Sequence, residues 1–254
     1  MKAKKKYGQH FLKDDTITEE IATYIAEANV DNLPLLEIGP GKGALTMRLI
    51  GKKQKVHCVE VDEDMVKHLE KQNLGVEIIQ SDVLELNPFE VMDGNPFFLC
   101  GNYPYNISSQ ILFWMLSARD IIPHMVGMYQ YEVADRILSP PNSRKYGILS
   151  VLCQAFYDCS FLLEVPPESF NPAPRVNSAV ILLTRNKTKT LDCDEKLFKR
   201  IVKMSFGQRR KKLSNSLKSL SEDRTIFDHS LFNKRAEHLS VQDFVTITQI
   251  LNTD

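Results

Sequence analysis

The chain contains no apolar run near the roughly 18 residues a membrane span requires, and it does not open on the apolar stretch of a signal peptide. A cytoplasmic, soluble protein without a membrane partner is expected. Its five cysteines (Cys58, Cys100, Cys153, Cys159, Cys193) are odd in number, far apart, and include no Cys-x-x-Cys pair. With no His cluster beside them, neither a disulfide framework nor a metal site is expected, only free thiols. Net charge is absent too, with 32 Lys and Arg against 32 Asp and Glu. Its distribution is uneven. Residues 1–13 hold five lysines and residues 196–218 nine basic side chains, with no acid in either segment. Outside those 14, 18 basic residues face 32 acidic ones. Positive charge gathered in two places on an otherwise acidic chain marks where a polyanion docks.

With 254 residues, 43% of them hydrophobic, the chain can bury a core for a main domain of about 150–200 residues plus a smaller appendage. Short apolar runs predict strands at 35–38, 56–61, 76–79, 97–100 and 125–129, with helical patterns at 44–50, 64–72 and 107–116 between them. Runs of this kind between helices are parallel strands covered on both faces. Helices at 132–138 and 148–156 and strands at 161–165 and 179–184 follow. The four prolines of segment 166–174 deny it helix and a central strand place, so it reads as a stiff loop holding Phe170. A polar linker at 185–192 leads to helical patterns at 195–206, 211–220 and 241–251, the last with Ser240 as its N-cap. The expected fold class is α/β. A doubly wound, mostly parallel, seven-stranded Rossmann-like sheet occupies residues 1–188, and a small α-helical domain residues 189–254.

In such sheets ligands sit at the carboxyl ends of the strands. Glu37-Ile38-Gly39-Pro40-Gly41-Lys42-Gly43 ends the first strand and opens a helix, and Gly39 and Gly41 let the backbone lie close against a ligand. A dinucleotide site remains open, but its G-x-G-x-x-G spacing would require glycine at Ala44. The spacing favours S-adenosylmethionine over a nicotinamide cofactor. Glu60, ending the second strand, is placed to accept both ribose hydroxyls of an adenosine, which either cofactor carries. Asp82, ending the third, is placed to accept from the adenine amino group, or simply to cap the strand end.

Asn102-Tyr103-Pro104-Tyr105 follows the fourth strand. An adenine amino nitrogen is a poor nucleophile because its lone pair is delocalised into the ring. Two acceptors aimed at its two hydrogens favour the pyramidal, reactive form: the Asn102 side-chain oxygen and the carbonyl of Tyr103. Preorganised hydrogen bonds of this kind contribute roughly 3–4 kcal/mol each. Pro104 stiffens the turn, and Tyr105 offers a stacking face to a base that has left its stack.

These motifs resemble the ribosomal RNA adenine dimethylases, and the resemblance runs over nearly the whole chain. It rests on Gln9-His10-Phe11-Leu12, the loop 37–43, Glu60, Asp82 and 101–108 around Asn102. Phe170-Asn171-Pro172-Ala173-Pro174-Arg175-Val176-Asn177-Ser178 and Phe206-Gly207-Gln208-Arg209-Arg210-Lys211-Lys212-Leu213 extend it. It implies dimethylation of two adjacent adenosines in the 3′-terminal hairpin of small-subunit ribosomal RNA, on the immature 30S particle, by a monomer. It also implies that His10, Leu12, Gly39, Glu60, Asp82 and Asn102 border S-adenosylmethionine, and that Phe170 stacks on the target adenine opposite Tyr105. Arg209, Arg210, Lys211 and Lys212 would grip RNA. Two positions depart from the family pattern: Tyr103 stands for its usual Leu and His10 for its usual Asn. The alternatives are the large-subunit adenine methylases of macrolide resistance and a ribosome-assembly factor that binds RNA without catalysis.

Overall fold

A strand of only two residues, β1 (Phe11–Leu12), precedes helix α1 (Asp15–Ala28), which Asp14 caps by accepting from the amides of Thr16 and Ile17. The computed structural model describes residues 3–252, so Lys2 of the N-terminal lysine group lies outside the described residues. Helix α1 turns Ile21, Ala22 and Ile25 inward, the stripe expected of an amphipathic helix. Strands and helices then alternate as β2 (Leu35–Ile38), α2 (Ala44–Gly51), β3 (Val56–Glu60), α3 (Glu63–Gln72) and β4 (Glu77–Gln80). They continue as β5 (Phe98–Asn102), α4 (Ser108–Ser117), β6 (His124–Gln130), α5 (Tyr131–Leu138) and α6 (Ile148–Gln154). After β7 (Tyr157–Val165), β8 (Phe170–Asn171) and β9 (Ser178–Arg185) come α7 (Glu195–Gly207), α8 (Leu213–Ser216) and α9 (Val241–Leu251).

Among the described residues the main sheet has seven strands in the order β4-β3-β2-β5-β6-β9-β7. Pairings from β4 through β6 are parallel, and β9 runs antiparallel to β6. The doubly wound, mostly parallel sheet expected from the sequence is therefore present. Strand order reverses between β2 and β5, and a crevice opens at the carboxyl ends of strands where that happens.

The described residues fall into two compact units, one within Met1–Ala134 and Cys159–Arg185, the other within Asp135–Asp158 and Asn186–Asp254. One crossing, at Arg185–Asn186, lies in the polar linker read at 185–192. The other two, at Ala134–Asp135 and Asp158–Cys159, have no mark in the sequence: they fall inside α5 and β7. In the first unit Leu35, Leu49, Phe98 and Cys100 have no exposed surface, and each large side chain so buried stabilises the fold by about 1.5–3 kcal/mol. In the second, Phe198, Ile201 and Val202 of α7 and Phe244, Ile247 and Leu251 of α9 are buried. The Phe206 ring there lies 5.9 Å from Tyr146 and 6.0 Å from Phe244.

Two local expectations are corrected. The helix expected over 211–220 is broken: Lys212 is extended and bridges Arg235, and the Leu213 amide donates to the Lys234 carbonyl at 3.0 Å. Backbone pairing with the segment at Lys234 and Arg235 replaces the helical turn there. The proline-rich loop 166–174 is not irregular throughout. It contains a 3-10 turn at Pro167–Ser169 and then β8, which pairs antiparallel with β1 as Phe11↔Asn171 and Leu12↔Phe170.

Candidate active site

A cavity of about 310 Å³ lies at the carboxyl ends of β2 and β5, where the strand order reverses. The loop after β2 forms one wall. Its glycines 39 and 41 have φ of +68° and +56°, and a Cβ on Gly41 would stand 3.0 Å from the Phe11 ring. Only glycine meets both conditions at 41. The Gly41 amide donates to one Glu60 oxygen at 3.1 Å and the Asp62 amide to the other at 2.9 Å. Glu60 is thus fixed at the cavity wall with one amide on each oxygen, which leaves lone pairs for further donors.

Three carboxyls meet this cavity: Glu37, Glu60 and Asp82. Glu37 is 2% exposed. Burial pushes its carboxyl up to about 7, against the Thr46 hydroxyl that donates to it at 2.6 Å and with a further push from Glu60. Burial likewise raises Glu60, opposed by the Asp62 and Gly41 amides. Asp82 caps the turn after β4 by accepting from the Leu84 amide at 3.0 Å through Oδ1. That oxygen does the capping the sequence allowed for, while the residue also lines the cavity. The lining suits an adenosine group: left-handed glycines that bring bare backbone to the wall and carboxylates that accept from hydroxyl and amino groups.

Asn102, Tyr103, Pro104 and Tyr105 line the same cavity from the end of β5. The Asn102 amide nitrogen donates to the His10 carbonyl at 2.9 Å. A carbonyl only accepts, so the amide orientation is fixed and Oδ1 faces the other way. Tyr105 donates or accepts through its hydroxyl with Ser178 at 2.5 Å, and burial raises its phenol above the ordinary value while Ser178 opposes the rise. Tyr103 is 1% exposed, so what it presents to the cavity is small beside its buried ring.

His10 and Leu12, which only the resemblance implicated, lie on the N-terminal wall. His10 donates through Nδ1 to the Pro172 carbonyl at 2.7 Å, so a neutral ring leaves Nε2 as an acceptor. Its ring is stacked beside Tyr105, with centroids 5.5 Å apart at 23°. Phe170 is placed differently from the expectation. It is 2% exposed, sits in the apolar cluster with Ile21, Leu45 and Val165, and is absent from the cavity lining. Its backbone pairs with Leu12, and that pairing draws the ring into the core.

Lys4, counted above only among the basic residues expected to face a polyanion, joins Gln9 and Asp62 in anchoring the N-terminal wall. Lys4 Nζ and Gln9 Nε2 donate to the two oxygens of Asp62 at 2.5 and 2.8 Å. Burial opposes charge on Asp62, but these bonds and the Asp64 amide outweigh it and hold the carboxyl below its ordinary value. The signal in the sequence is a second acid, Asp62, two residues past Glu60.

In the second unit the four RNA candidates divide. Arg209 donates through Nε to Glu237 at 2.8 Å and through an Nη to the Ser143 carbonyl at 3.2 Å. It is held by protein. Arg210, Lys211 and Lys212 are exposed on the turn after α7.

A family model described as ribosomal RNA adenine dimethylase matches residues 1–253. The ribosomal RNA small subunit methyltransferase A of Bacteroides thetaiotaomicron is 51% identical over 251 residues, 98% of this chain and 93% of its own. That of Flavobacterium johnsoniae is 45% identical over 256 residues, 100% of this chain and 97% of its own. Among solved structures, a dimethyladenosine transferase from Plasmodium falciparum is similar in fold, with TM-score 0.79, 22% identity, and 96% and 98% of the two chains covered. The 23S rRNA methyltransferase ErmE has TM-score 0.69 at 25% identity over 95% of this chain and 99% of its own.

Proposed function

The chain belongs to the ribosomal RNA adenine dimethylase family, and we propose that it dimethylates the 6-amino groups of two adjacent adenosines in the 3′-terminal hairpin of small-subunit ribosomal RNA. The observation that carries this reading is the amide of Asn102, fixed by the His10 carbonyl so that its oxygen faces away from that bond, with Tyr103 next to it in the cavity lining. Two acceptors there can take both hydrogens of an adenine amino group and favour its reactive, pyramidal form.

When bound, S-adenosylmethionine supplies a methyl group already activated by its sulfonium. Glu60 would accept from its ribose, Asp82 from its adenine amino group through the oxygen not used in capping, and Gly39 and Gly41 would lie against it. His10 and Leu12 would border it, and Asn102 would meet both cofactor and substrate. Tyr105 would stack on the target base. Phe170 supports the site from the core by holding β8 against β1. Residues 1–188 form the methyltransferase domain in this reading, and residues 189–254 a helical RNA-binding domain that grips phosphate through Arg210, Lys211 and Lys212. The immature 30S particle is the substrate, and the protein works as a cytoplasmic monomer. Among the described residues no helix is long and apolar enough to cross a membrane.

The large-subunit reading is not favoured. Identity to ErmE is 25%, against 51% to the small-subunit enzyme of B. thetaiotaomicron. Mass spectrometry of ribosomal RNA from cells lacking this protein tests substrate and product together. Two dimethyladenosines should be missing from the small subunit; their persistence would overturn the proposal.

A further inference from the structure

Gly101 of β5 and Gly127 of β6 stand opposite each other across a parallel strand pair. A Cβ on Gly101 would come within 2.5 Å of the Ile38 carbonyl oxygen, so the β2 backbone alone forbids a side chain there. No backbone forbids one at Gly127. What fills its space is the ring of Tyr103, whose Cε2 and Cδ2 would lie 2.2 and 3.0 Å from a Cβ at 127, with the Tyr129 ring 2.8 Å away. The opposite edge of the Tyr103 ring lies 3.1 Å from the Cβ position of Gly101. The ring therefore lies across the two paired glycines.

That ring has nowhere else to go. Tyr103 is 1% exposed, Tyr129 meets it edge-on with centroids 5.4 Å apart, and its hydroxyl is buried without a hydrogen-bond partner among the described residues. A buried hydroxyl left unpaired is costly, so the ring is held by shape. Its chain neighbours, Asn102 and Pro104, both line the cavity, and so does Tyr103 itself. Any movement of an enclosed ring must pass into this backbone.

We propose that Gly127 is a positioning residue for methyl transfer, clearing the slot in which the Tyr103 ring locks and thereby setting the carbonyl that receives the adenine amino group. The inference rests on the role given above to the Tyr103 carbonyl. Gly127 and Tyr103 form a matched pair: the bulky aromatic that replaces the family's usual Leu requires the missing side chain opposite it. A methyl group at 127 displaces the ring, and a misplacement of about 1 Å at a reacting centre costs on the order of 100-fold in rate.

The test is a double-mutant cycle read on immature 30S particles with labelled S-adenosylmethionine. Gly127→Ala should lower kcat by about 10- to 100-fold, with KM for the particle and calorimetric affinity for S-adenosylmethionine within about threefold. Tyr103→Leu, which empties the slot, should also lower kcat. Adding it to Gly127→Ala refills the slot with a branched side chain and a methyl, so the double variant should exceed Gly127→Ala in kcat. A double variant equal to the product of the two single losses, or a Gly127→Ala enzyme with wild-type kcat, overturns the inference. If Gly127→Ala does not fold, a folded double variant still supports the pairing, and a double variant that also fails to fold overturns it. Failure of the wild-type protein to methylate the particle would instead overturn the function proposed for the chain.

Discussion

Asn102 donates its side-chain amide to the main-chain carbonyl of His10 across 2.9 Å, joining the end of β5 to the N-terminal segment. The contact uses the donor half of the amide and leaves the acceptor half for the role proposed above. Asn102→Ala should retain RNA binding and lose methyl transfer by about 100-fold or more, the cost of one preorganised hydrogen bond. Asn102→Asp should do no better, because it sets a carboxylate oxygen against the His10 carbonyl. Near-normal methyl incorporation into 30S particles by either variant would remove Asn102 from the mechanism.

The turn after α7 holds one basic side chain within the protein and exposes three. Arg209 is bonded to Glu237 and Ser143, while Arg210, Lys211 and Lys212 are exposed. Neutralising the last three should flatten the plot of log affinity for RNA against log salt by about two to three units, as fewer counterions are released. Arg209→Ala should leave that slope nearly unchanged and lower the thermal midpoint instead, through loss of about 1 kcal/mol from a partly exposed ion pair. The reverse assignment, with Arg209 alone moving the slope, would refute this division.

Much of the sheet was legible because its parallel strands are apolar on both faces: β2 is buried at all four positions. That Glu60, Asp82 and Asn102 reach the cavity was legible for a related reason, since residues at the carboxyl ends of parallel strands face the crevice there. Helix α1 was missed although its stripe of Ile21, Ala22 and Ile25 is regular, because it precedes the alternating pattern. The pairing of β1 with β8 had no local trace. Two-residue strands carry no periodicity, and Leu12 and Phe170 lie far apart in the chain. Burial of Phe170 follows from that pairing, so it was equally hidden. Gly127 was invisible for a further reason: its φ is unremarkable, and its meaning lies in a ring from another strand.

Phe170 can be assigned by where its removal is felt. At 2% exposure in the core cluster, Phe170→Ala should destabilise the protein by about 3–5 kcal/mol. A ring that only stacks on a base would instead lose about 1–3 kcal/mol of transition-state binding with no change in stability. Thermal unfolding of Phe170→Ala beside its kcat/KM decides between them. A wild-type midpoint with reduced activity would place the ring in the substrate site.

Glu37 makes stability depend on pH in a direction opposite to most carboxylates. Its ordinary value is 4.5, and burial beneath the cavity pushes it up to about 7 in the folded protein. Between those limits the folded state holds a proton that the unfolded chain has released. The stabilisation is complete below 4.5 and is lost as pH rises through about 7, a loss of about 3 kcal/mol by proton linkage. Glu37→Gln keeps an oxygen for the Thr46 hydroxyl and removes the titration. From pH 5 to 8 the thermal midpoint of the wild type should therefore fall relative to that of Glu37→Gln. Parallel midpoints across that range would show that Glu37 does not hold the proton.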